Sequence, residues 1–204
     1  MAAFRPSAAH ELTPWIVAIG ASGADGLDDL ATLLTALPRA LPAVVMVVIH
    51  RAWDDQPSYL GDVLSPRSTL PVVIAVDGDR FKAGIVYIGE PSRHLTLART
   101  LLCEIVVDPD RQHGNRTVDL LFKSVAAHAG AHAIGVILSG GLDDGSRGLA
   151  AIHDAGGLTM VLTPSSPAQN RMPDNAIGFN GPITLIGNLD SLARGIALAC
   201  VEER

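Results

Sequence analysis

The sequence is poor in cysteine and in charge, and each shortage excludes a class of protein. Its two cysteines, Cys103 and Cys200, lie far apart without a CxxC pair, which disfavours a disulfide framework or a zinc knuckle and suits a reducing cytoplasm. Charged residues make up 18% of the 204 residues, too few for a disordered chain. Acidic residues outnumber basic ones by 21 to 15, which argues against nucleic acid or an anionic membrane as the main partner.

Long hydrophobic runs are also missing. The longest, Ala43–Ile49, is far shorter than the roughly 20 residues that span a bilayer, so no membrane insertion is predicted. Met1–Pro14 has no apolar signal region and is expected to form a loose N-terminal arm. Residues 15–204 are expected to form a single domain, because one core can serve a chain of this length. A cytoplasmic location follows as an expectation.

Short aliphatic runs alternate with amphipathic segments along most of the chain. The runs are continuous, as in parallel strands covered on both faces, and they are Trp15–Ile19, Ala43–Ile49, Ala133–Leu138 and Leu158–Leu162. Apolar residues at helical spacing predict helices within Leu27–Leu37, Val118–Val125, Gly148–Ala155 and Leu189–Val201. This alternation predicts an α/β fold of the Rossmann-like, three-layer kind, with a doubly wound, mainly parallel sheet flanked by helices.

The segment from Pro71 to Val107 departs from that alternation. Its strand signals lie too close together for crossover helices, and they are Val72–Ile74, Ile85–Ile88, His94–Leu97 and Leu101–Val107. We therefore expect antiparallel hairpins, inserted in the sheet or placed on its edge.

Three polar residues follow strands of the predicted parallel sheet. Ser22 lies at the first strand-to-helix turn, His50 closes the second strand, and Asp143 and Asp144 follow the strand that ends at Leu138. Because the carboxyl ends of parallel strands share one edge, these side chains are expected near each other. A serine nucleophile, a histidine base and an orienting aspartate are the parts of nucleophilic catalysis. Backbone N–H groups at the helix start would bind an oxyanion.

Each of these residues also has an ordinary structural explanation. Ser22 is in position to cap a helix, His50 to pack at the end of a buried strand, and Asp143-Asp144-Gly145 to form a turn or start a helix. Gly20–Gly26 follows the first strand and begins a helix, as a dinucleotide-binding loop does. However, Ser22 occupies the place of the second glycine of the G-x-G-x-x-G motif, and no acidic residue ends the second strand. Metal-binding motifs are missing, so neither a metal site nor a cofactor is predicted.

Several motifs occur in the order found in one known family. They are Ile19–Ser22, His50, Asp77-Gly78, Gly84–Ile88 with Pro91 and His94, Thr117–Ser124, Leu138–Gly145, Ala155–Gly157 and Met172-Pro173. Together they resemble the catalytic domain of the CheB-type chemotaxis receptor methylesterases, from about Ile16 to the last helix. The resemblance implies a doubly wound α/β domain with an added hairpin. It also implies hydrolysis of γ-glutamyl methyl esters on the cytoplasmic helices of chemoreceptors, which many members combine with deamidation of glutamines.

The resemblance assigns roles residue by residue. Ser22 would be the nucleophile, His50 the general base, and Asp144, rather than Asp143, the orienting carboxylate. Gly23 would donate its N–H to the oxyanion, and Gly141 would belong to the oxyanion or substrate loop. The loops Arg51–Tyr59 and Ser165–Asp174 are expected to contact the substrate, because they flank the strand ends.

The chain departs from the family's pattern near these residues. Between Ser22 and Gly26 it has one extra residue, and Asp25 brings a negative charge there. Gly141 replaces a common methionine, and Ile49 a usual glutamine. A displaced oxyanion donor would cost about 2.7 to 4 kcal/mol. The alternative to an active esterase is therefore a catalytically impaired module that binds receptors or signalling partners.

Family enzymes often carry a receiver domain that controls them by phosphorylation. Only residues 1–14 precede the first predicted strand, too few for such a domain. The expectation is that this domain works unphosphorylated or is controlled in trans.

Overall fold

The structure is a computed structural model that describes residues 14–50, 59–90, 93–108, 110, 112–113, 116–141, 143–164, 171–179 and 181–201. Nine strands are described: β1 (Trp15–Ser22), β2 (Ala43–His50), β3 (Val72–Ile74), β4 (Val86–Ile88), β5 (Arg93–Ala98), β6 (Leu102–Val107), β7 (Ala133–Ile137), β8 (Leu158–Leu162) and β9 (Leu185–Gly187). The α-helices among these residues are α1 (Gly23–Ala36), α2 (Leu60–Leu64), α3 (Thr117–Ala129), α4 (Ser146–Asp154), α5 (Met172–Gly178) and α6 (Leu189–Val201).

Seven of the strands form one parallel sheet in the order β3-β4-β2-β1-β7-β8-β9. From β1 the chain first forms one side of the sheet, where β3 is the edge strand and β4 lies between β3 and β2. It then returns to β7, beside β1, and forms the other side with β8 and β9. The strand order therefore reverses between β1 and β7. In open α/β sheets, ligands bind at this position, outside the carboxyl ends of the strands. The expected doubly wound fold is confirmed.

The sheet separates two apolar cores, because successive side chains of a strand point to opposite faces. Val17 and Ile19 of β1 face the core that contains residues of α1 and α6, whereas Ile16 and Ala18 face the core that contains residues of α3 and α4. Both faces of β1 and β2 are buried, which explains why their sequences are continuously apolar rather than alternating.

The expected antiparallel hairpins are only partly right. Strands β5 and β6 do pair antiparallel, as a separate two-stranded sheet. Strands β3 and β4 are instead parallel neighbours, and β4 is also parallel to β2. The link between β3 and β4 contains no helix. It is held by the hairpin, since Asp77 accepts the Ile105 N–H at 2.8 Å and the Asp79 carbonyl accepts the Cys103 N–H at 2.7 Å.

Among the strands and α-helices described, three have no counterpart in the sequence-based expectation: α2, α5 and β9. Each spans only three to seven residues, too few to display a clear period. The segment Ser165–Asp174 is expected above to be a substrate-contacting loop, but its last three residues, from Met172 onward, belong to α5. Met1–Thr13 of the expected arm, Arg51–Ser58, and residues 165–170 lie outside the described residues. None of the described helices is both long and apolar enough to cross a membrane.

Candidate active site

Ser22 is the last residue of β1 and the residue directly before α1. Its backbone is extended, at φ −147° and ψ 139°, so the strand runs straight into the helix start. Its hydroxyl makes no capping hydrogen bond to α1, whose residues are all described. A serine at this position normally caps the helix. The hydroxyl of Ser22 is therefore available for another partner.

His50 is placed beside Ser22 by the register of two parallel strands. The pairing of β1 with β2 runs from Trp15 opposite Ala43 to Ser22 opposite His50. Strand alternation assigns Ser22 and His50 to the same face as Ile16 and Val44, which is the face covered by α3. Both residues are half-buried at the edge where the strands end.

The chain after β7 holds Ser22 from the other side. The Ser22 N–H donates to the Ser139 carbonyl at 3.0 Å, and the Leu138 N–H donates to the Gly20 carbonyl at 3.0 Å. A side chain at Gly140 would put its Cβ 2.5 Å from the Cβ of Ser22. The Cβ would also lie 2.5 Å from the sulfur of Met172, the first residue of α5. Only glycine fits between Ser22 and α5.

Asp144 is 3% exposed and lies just before α4. Its carboxylate accepts the N–H groups of Val118 at 2.8 Å and Asp119 at 2.9 Å, both in the first turn of α3. It therefore caps a different helix from the one it precedes. Burial raises the pKa of Asp144 to about 6, the two N–H groups limit the rise, and the negative charge of Asp119 adds to it.

The two candidate glycines are open towards solvent. Gly23 has a φ of +69°, in the left-handed region that favours glycine, and a Cβ there would meet nothing within 4 Å. Gly141 is exposed, and a Cβ there would also meet nothing within 4 Å. Asp143, the alternative orienting carboxylate, is exposed. The site is thus open to solvent at Gly23 and Gly141, and it is closely packed at Gly140.

The acidic residue of the altered serine loop has an ionic partner. The Asp25 carboxylate in the first turn of α1 lies 3.5 Å from the guanidinium of Arg171, which immediately precedes α5. This pair links the two helix starts that flank Gly140. Because Asp25 is largely exposed, the ion pair adds little stability.

The remaining expectations concern nucleotides and metals. A larger residue would not fit at Gly20, because α3 packs against this position and a Cβ there would lie 2.3 Å from Val118. Close packing thus explains this glycine without a bound pyrophosphate. Within the described ranges, no group of three or more His, Cys, Asp and Glu side chains is suited to hold a metal ion.

Comparison with known proteins decides the family. The family model for CheB methylesterase matches residues 17–196, nearly the whole sheet with its helices. The chain belongs to the CheB methylesterase family. The resemblance seen in the motifs is confirmed.

Curated relatives carry names of the same kind. The chain is 35% identical over 172 residues to protein-glutamate methylesterase/protein-glutamine glutaminase 2 of Dechloromonas aromatica, covering 83% of this chain and 47% of that protein. It is 32% identical over 196 residues to protein-glutamate methylesterase/protein-glutamine glutaminase 3 of Shewanella oneidensis, covering 93% of this chain and 53% of that protein. The chain spans about half the length of the curated relatives it matches.

A solved structure has the same fold. The crystal structure of the Thermotoga maritima CheB methylesterase catalytic domain superposes with a TM-score of 0.78 at 26% identity. The match covers 92% of this chain and 99% of that one. The parallel sheet and its helices are therefore those of the CheB catalytic domain.

Three further residues of the site lie within the family motifs but have no role predicted from the sequence: Gly140, Met172 and Asp119. Gly140 and Met172 pack against each other beside Ser22, and the Met172 N–H donates to the Gly140 carbonyl at 2.9 Å. Asp119 is an acidic residue in the first turn of α3, an ordinary position for it, and only the structure shows that it is 2% exposed. Nothing in the local pattern indicated which groups it meets.

Proposed function

We propose that this chain is a protein-glutamate methylesterase that uses Ser22, His50 and Asp144 as its catalytic residues. The observation that carries the proposal is the register pairing of Ser22 with His50 at the strand ends, next to the reversal of strand order. The absence of a capping bond from the Ser22 hydroxyl to α1 supports it. Family membership supplies the reaction class.

In this proposal, Ser22 Oγ attacks the ester carbonyl carbon while His50 takes the hydroxyl proton. The tetrahedral intermediate then expels methoxide, which leaves as methanol with the proton from His50. Water, activated in turn by His50, attacks the acyl-enzyme and releases glutamate and free Ser22. Asp144, ionised above pH 6, stabilises the imidazolium that forms twice in each cycle.

The oxyanion requires N–H donors that face the reacting carbonyl. Gly23 directly follows Ser22, and its positive φ is a conformation that no other residue adopts as easily. The exposed Gly141 loop lies next to the tightly packed Gly140 and is the second proposed contact. Donors placed in advance in this way are worth about 2.7 to 4 kcal/mol each.

The proposed substrate is a methylated glutamate on the cytoplasmic helices of a chemoreceptor, and a cytoplasmic location is part of the same proposal. The exposed Gly23 and Gly141 support a macromolecular substrate, because a protein-bound side chain must reach the nucleophile from outside. Glutamine deamidation, named in the relatives, follows from the same chemistry with ammonia as the leaving group.

The test is methanol release from methylated chemoreceptor membranes by the wild type and by Ser22→Ala. We expect release by the wild type and a loss of at least about 10³-fold in the variant. Ser65→Ala is the matched control, because its exposed hydroxyl bonds the Gly61 carbonyl in a different helix. This control is expected to retain wild-type activity.

A fluorophosphonate probe separates the esterase from the impaired binding module. Labelling at Ser22 that is lost in Ser22→Ala supports an activated serine, whatever receptor is used. No methanol release together with no labelling of Ser22 would contradict the esterase and favour the binding module. Receptor pull-down in that case would measure its binding.

A further inference from the structure

Asp119 is a buried carboxylate that belongs to no catalytic step. It lies in the first turn of α3 and is 2% exposed. Its Oδ1 accepts the N–H of Gly145 at 3.1 Å and that of Gly148 at 2.7 Å. These two N–H groups belong to the residue before α4 and to its first turn, where backbone donors have no partner within their own helix.

Asp119 and Asp144 therefore cap each other's helices. Asp144, just before α4, binds the first turn of α3, and Asp119, in that same turn of α3, binds the start of α4. The two carboxylates and four N–H groups form a closed set of hydrogen bonds. A carboxylate at a helix N-terminus is also favoured by the helix dipole.

The surrounding packing leaves this arrangement little freedom. A Cβ at Gly148 would lie 2.5 Å from the Cβ of Phe122 and 3.1 Å from the Cα of Asp119, so α3 and α4 are in close contact here. A Cβ at Gly145, whose φ is +99°, would lie 2.7 Å from Val118. The second oxygen of Asp119 lies 3.7 Å from the Arg147 guanidinium.

Two buried carboxylates side by side repel each other, and a cap alone does not need this pairing. A neutral Asn or Ser caps a helix as well as Asp does. The paired arrangement also fixes the position of the Asp144 carboxylate relative to α3. Asp144 cannot shift along α3 unless the start of α4 moves with it. The residue that prevents this movement is Asp119.

We propose that Asp119 is a positioning residue that holds the Asp144 carboxylate in place for catalysis by binding the backbone of Gly145 and Gly148. The proposal rests on the function proposed above. Asp119 itself touches neither substrate nor reacting atoms. A displacement of about 1 Å in a catalytic group costs roughly 10²-fold in rate, so a loss of this size is expected when Asp119 no longer holds Asp144 in place.

The test compares Asp119→Ala with Asp119→Asn in methanol release and in fluorophosphonate labelling. Alanine removes the acceptor for both N–H groups, so we expect kcat to fall about 10²-fold with KM unchanged. Asparagine keeps an oxygen at the Oδ1 position and is expected to restore most of kcat. Leucine, which is close to Asp in shape but has no hydrogen-bond acceptor, replaces alanine if the alanine variant does not fold.

Thr159→Val is the matched control for a purely structural effect. Thr159 is fully buried in β8 and its hydroxyl donates to the Pro182 carbonyl and accepts the Thr184 N–H, each at 3.0 Å. Its loss is expected to lower the melting temperature as Asp119→Ala does, while kcat stays at the wild-type value.

An Asp119→Ala enzyme with wild-type kcat would overturn the positioning role, and so would an Asp119→Asn enzyme as slow as the alanine variant. A control that loses kcat in proportion to its melting temperature would also overturn it. A wild-type protein that neither releases methanol nor reacts with the probe contradicts the proposed function instead. The two failures are thereby distinguished.

Discussion

Ser22 and His50 occupy opposite positions at the last residue pair of two adjacent parallel strands. Such strands lie about 4.8 Å apart, so side chains on the same face of opposite residues are close neighbours. A shift of the register by one residue would turn one of the two side chains to the other face of the sheet. Close packing opposes such a shift, because only glycine fits opposite Val118 at position 20 and opposite Ser22 at position 140.

The pH dependence of hydrolysis is expected to reflect Asp144. With a pKa of about 6, the Asp144 carboxyl is ionised above that pH and neutral below it. A neutral carboxyl group does not stabilise an imidazolium, so kcat/KM is expected to fall as the pH is lowered through about 6. Steady-state methanol release between pH 5 and 8 measures this. Constant kcat/KM down to pH 5 would contradict a requirement for ionised Asp144.

Gly140→Ala is expected to reduce activity more than stability. The new methyl group would lie 2.5 Å from the Cβ of Ser22, whose position is fixed by the backbone and does not change with side-chain rotation. We expect kcat to fall about 10²-fold and the free energy of unfolding to fall by about 1 to 3 kcal/mol.

The matched control is Gly61→Ala in α2, where the nearest atom to a new Cβ is 3.8 Å away. This variant is expected to keep wild-type kcat and stability. Wild-type kcat in Gly140→Ala would show that the contact with Ser22 does not constrain the nucleophile.

The contact between β1 and α3 can be measured through Gly20 and Val118. A methyl group at Gly20 would lie 2.3 Å from Val118 Cγ1, so Gly20→Ala is expected to destabilise the fold by about 1 to 3 kcal/mol. Val118→Ala removes that methyl group and leaves a small cavity. In the double variant the two changes compensate, so the total loss is expected to be smaller than the sum. Urea unfolding of the four proteins gives the coupling, and strict additivity would contradict direct packing.

His94 and Asp108 form a second buried pair, near the turn that leads into α3. The His94 Nε2 lies 3.5 Å from an Asp108 oxygen, and Asp108 also accepts the N–H groups of Gln112 and His113, each at 2.7 Å. Burial lowers the pKa of His94 from 6.5 despite Asp108. Burial alone would raise the pKa of Asp108, but its hydrogen bonds outweigh this and lower it.

The lowered pKa of His94 makes the stability of the protein depend on pH. Below pH 6.5 the unfolded chain binds a proton at His94 more readily than the folded protein does, so the free energy of unfolding falls as the pH is lowered. His94→Gln has no titrating group at this position. The stability of the wild type relative to this variant is expected to decrease as the pH falls through 6.5, as measured by urea unfolding. A difference that does not vary with pH would contradict this assignment.

Much of the fold was predictable from local patterns. Continuous aliphatic runs identified β1, β2, β7 and β8, since a strand covered on both faces has no polar positions. The last helix was predicted with its observed bounds, Leu189–Val201. The candidate catalytic residues followed from topology, because the carboxyl ends of parallel strands share an edge. Their catalytic roles stay predictions.

The direction of β3 and β4 was not predictable from the same patterns. Their short spacing favours a hairpin by local rules, yet the link between them is held by hydrogen bonds to β6, far along the chain. These bonds take the place of the crossover helix that a parallel pair normally has. A contact with a distant segment therefore overrode the local preference.

The sequence by itself determined that the long parallel strands are buried on both faces. It also determined the sheet edge at which Ser22 and His50 end their strands, and that Asp144 follows a strand ending at the same edge. Periodicity encodes these properties, because they depend only on the geometry of one element. Only the tertiary structure decided that β1 lies between β2 and β7, that Gly140 fits beneath Ser22, and that Asp119 meets Gly145 and Gly148. Those contacts join segments distant in sequence, and a buried carboxylate takes whichever N–H groups the packing of two helices brings to it.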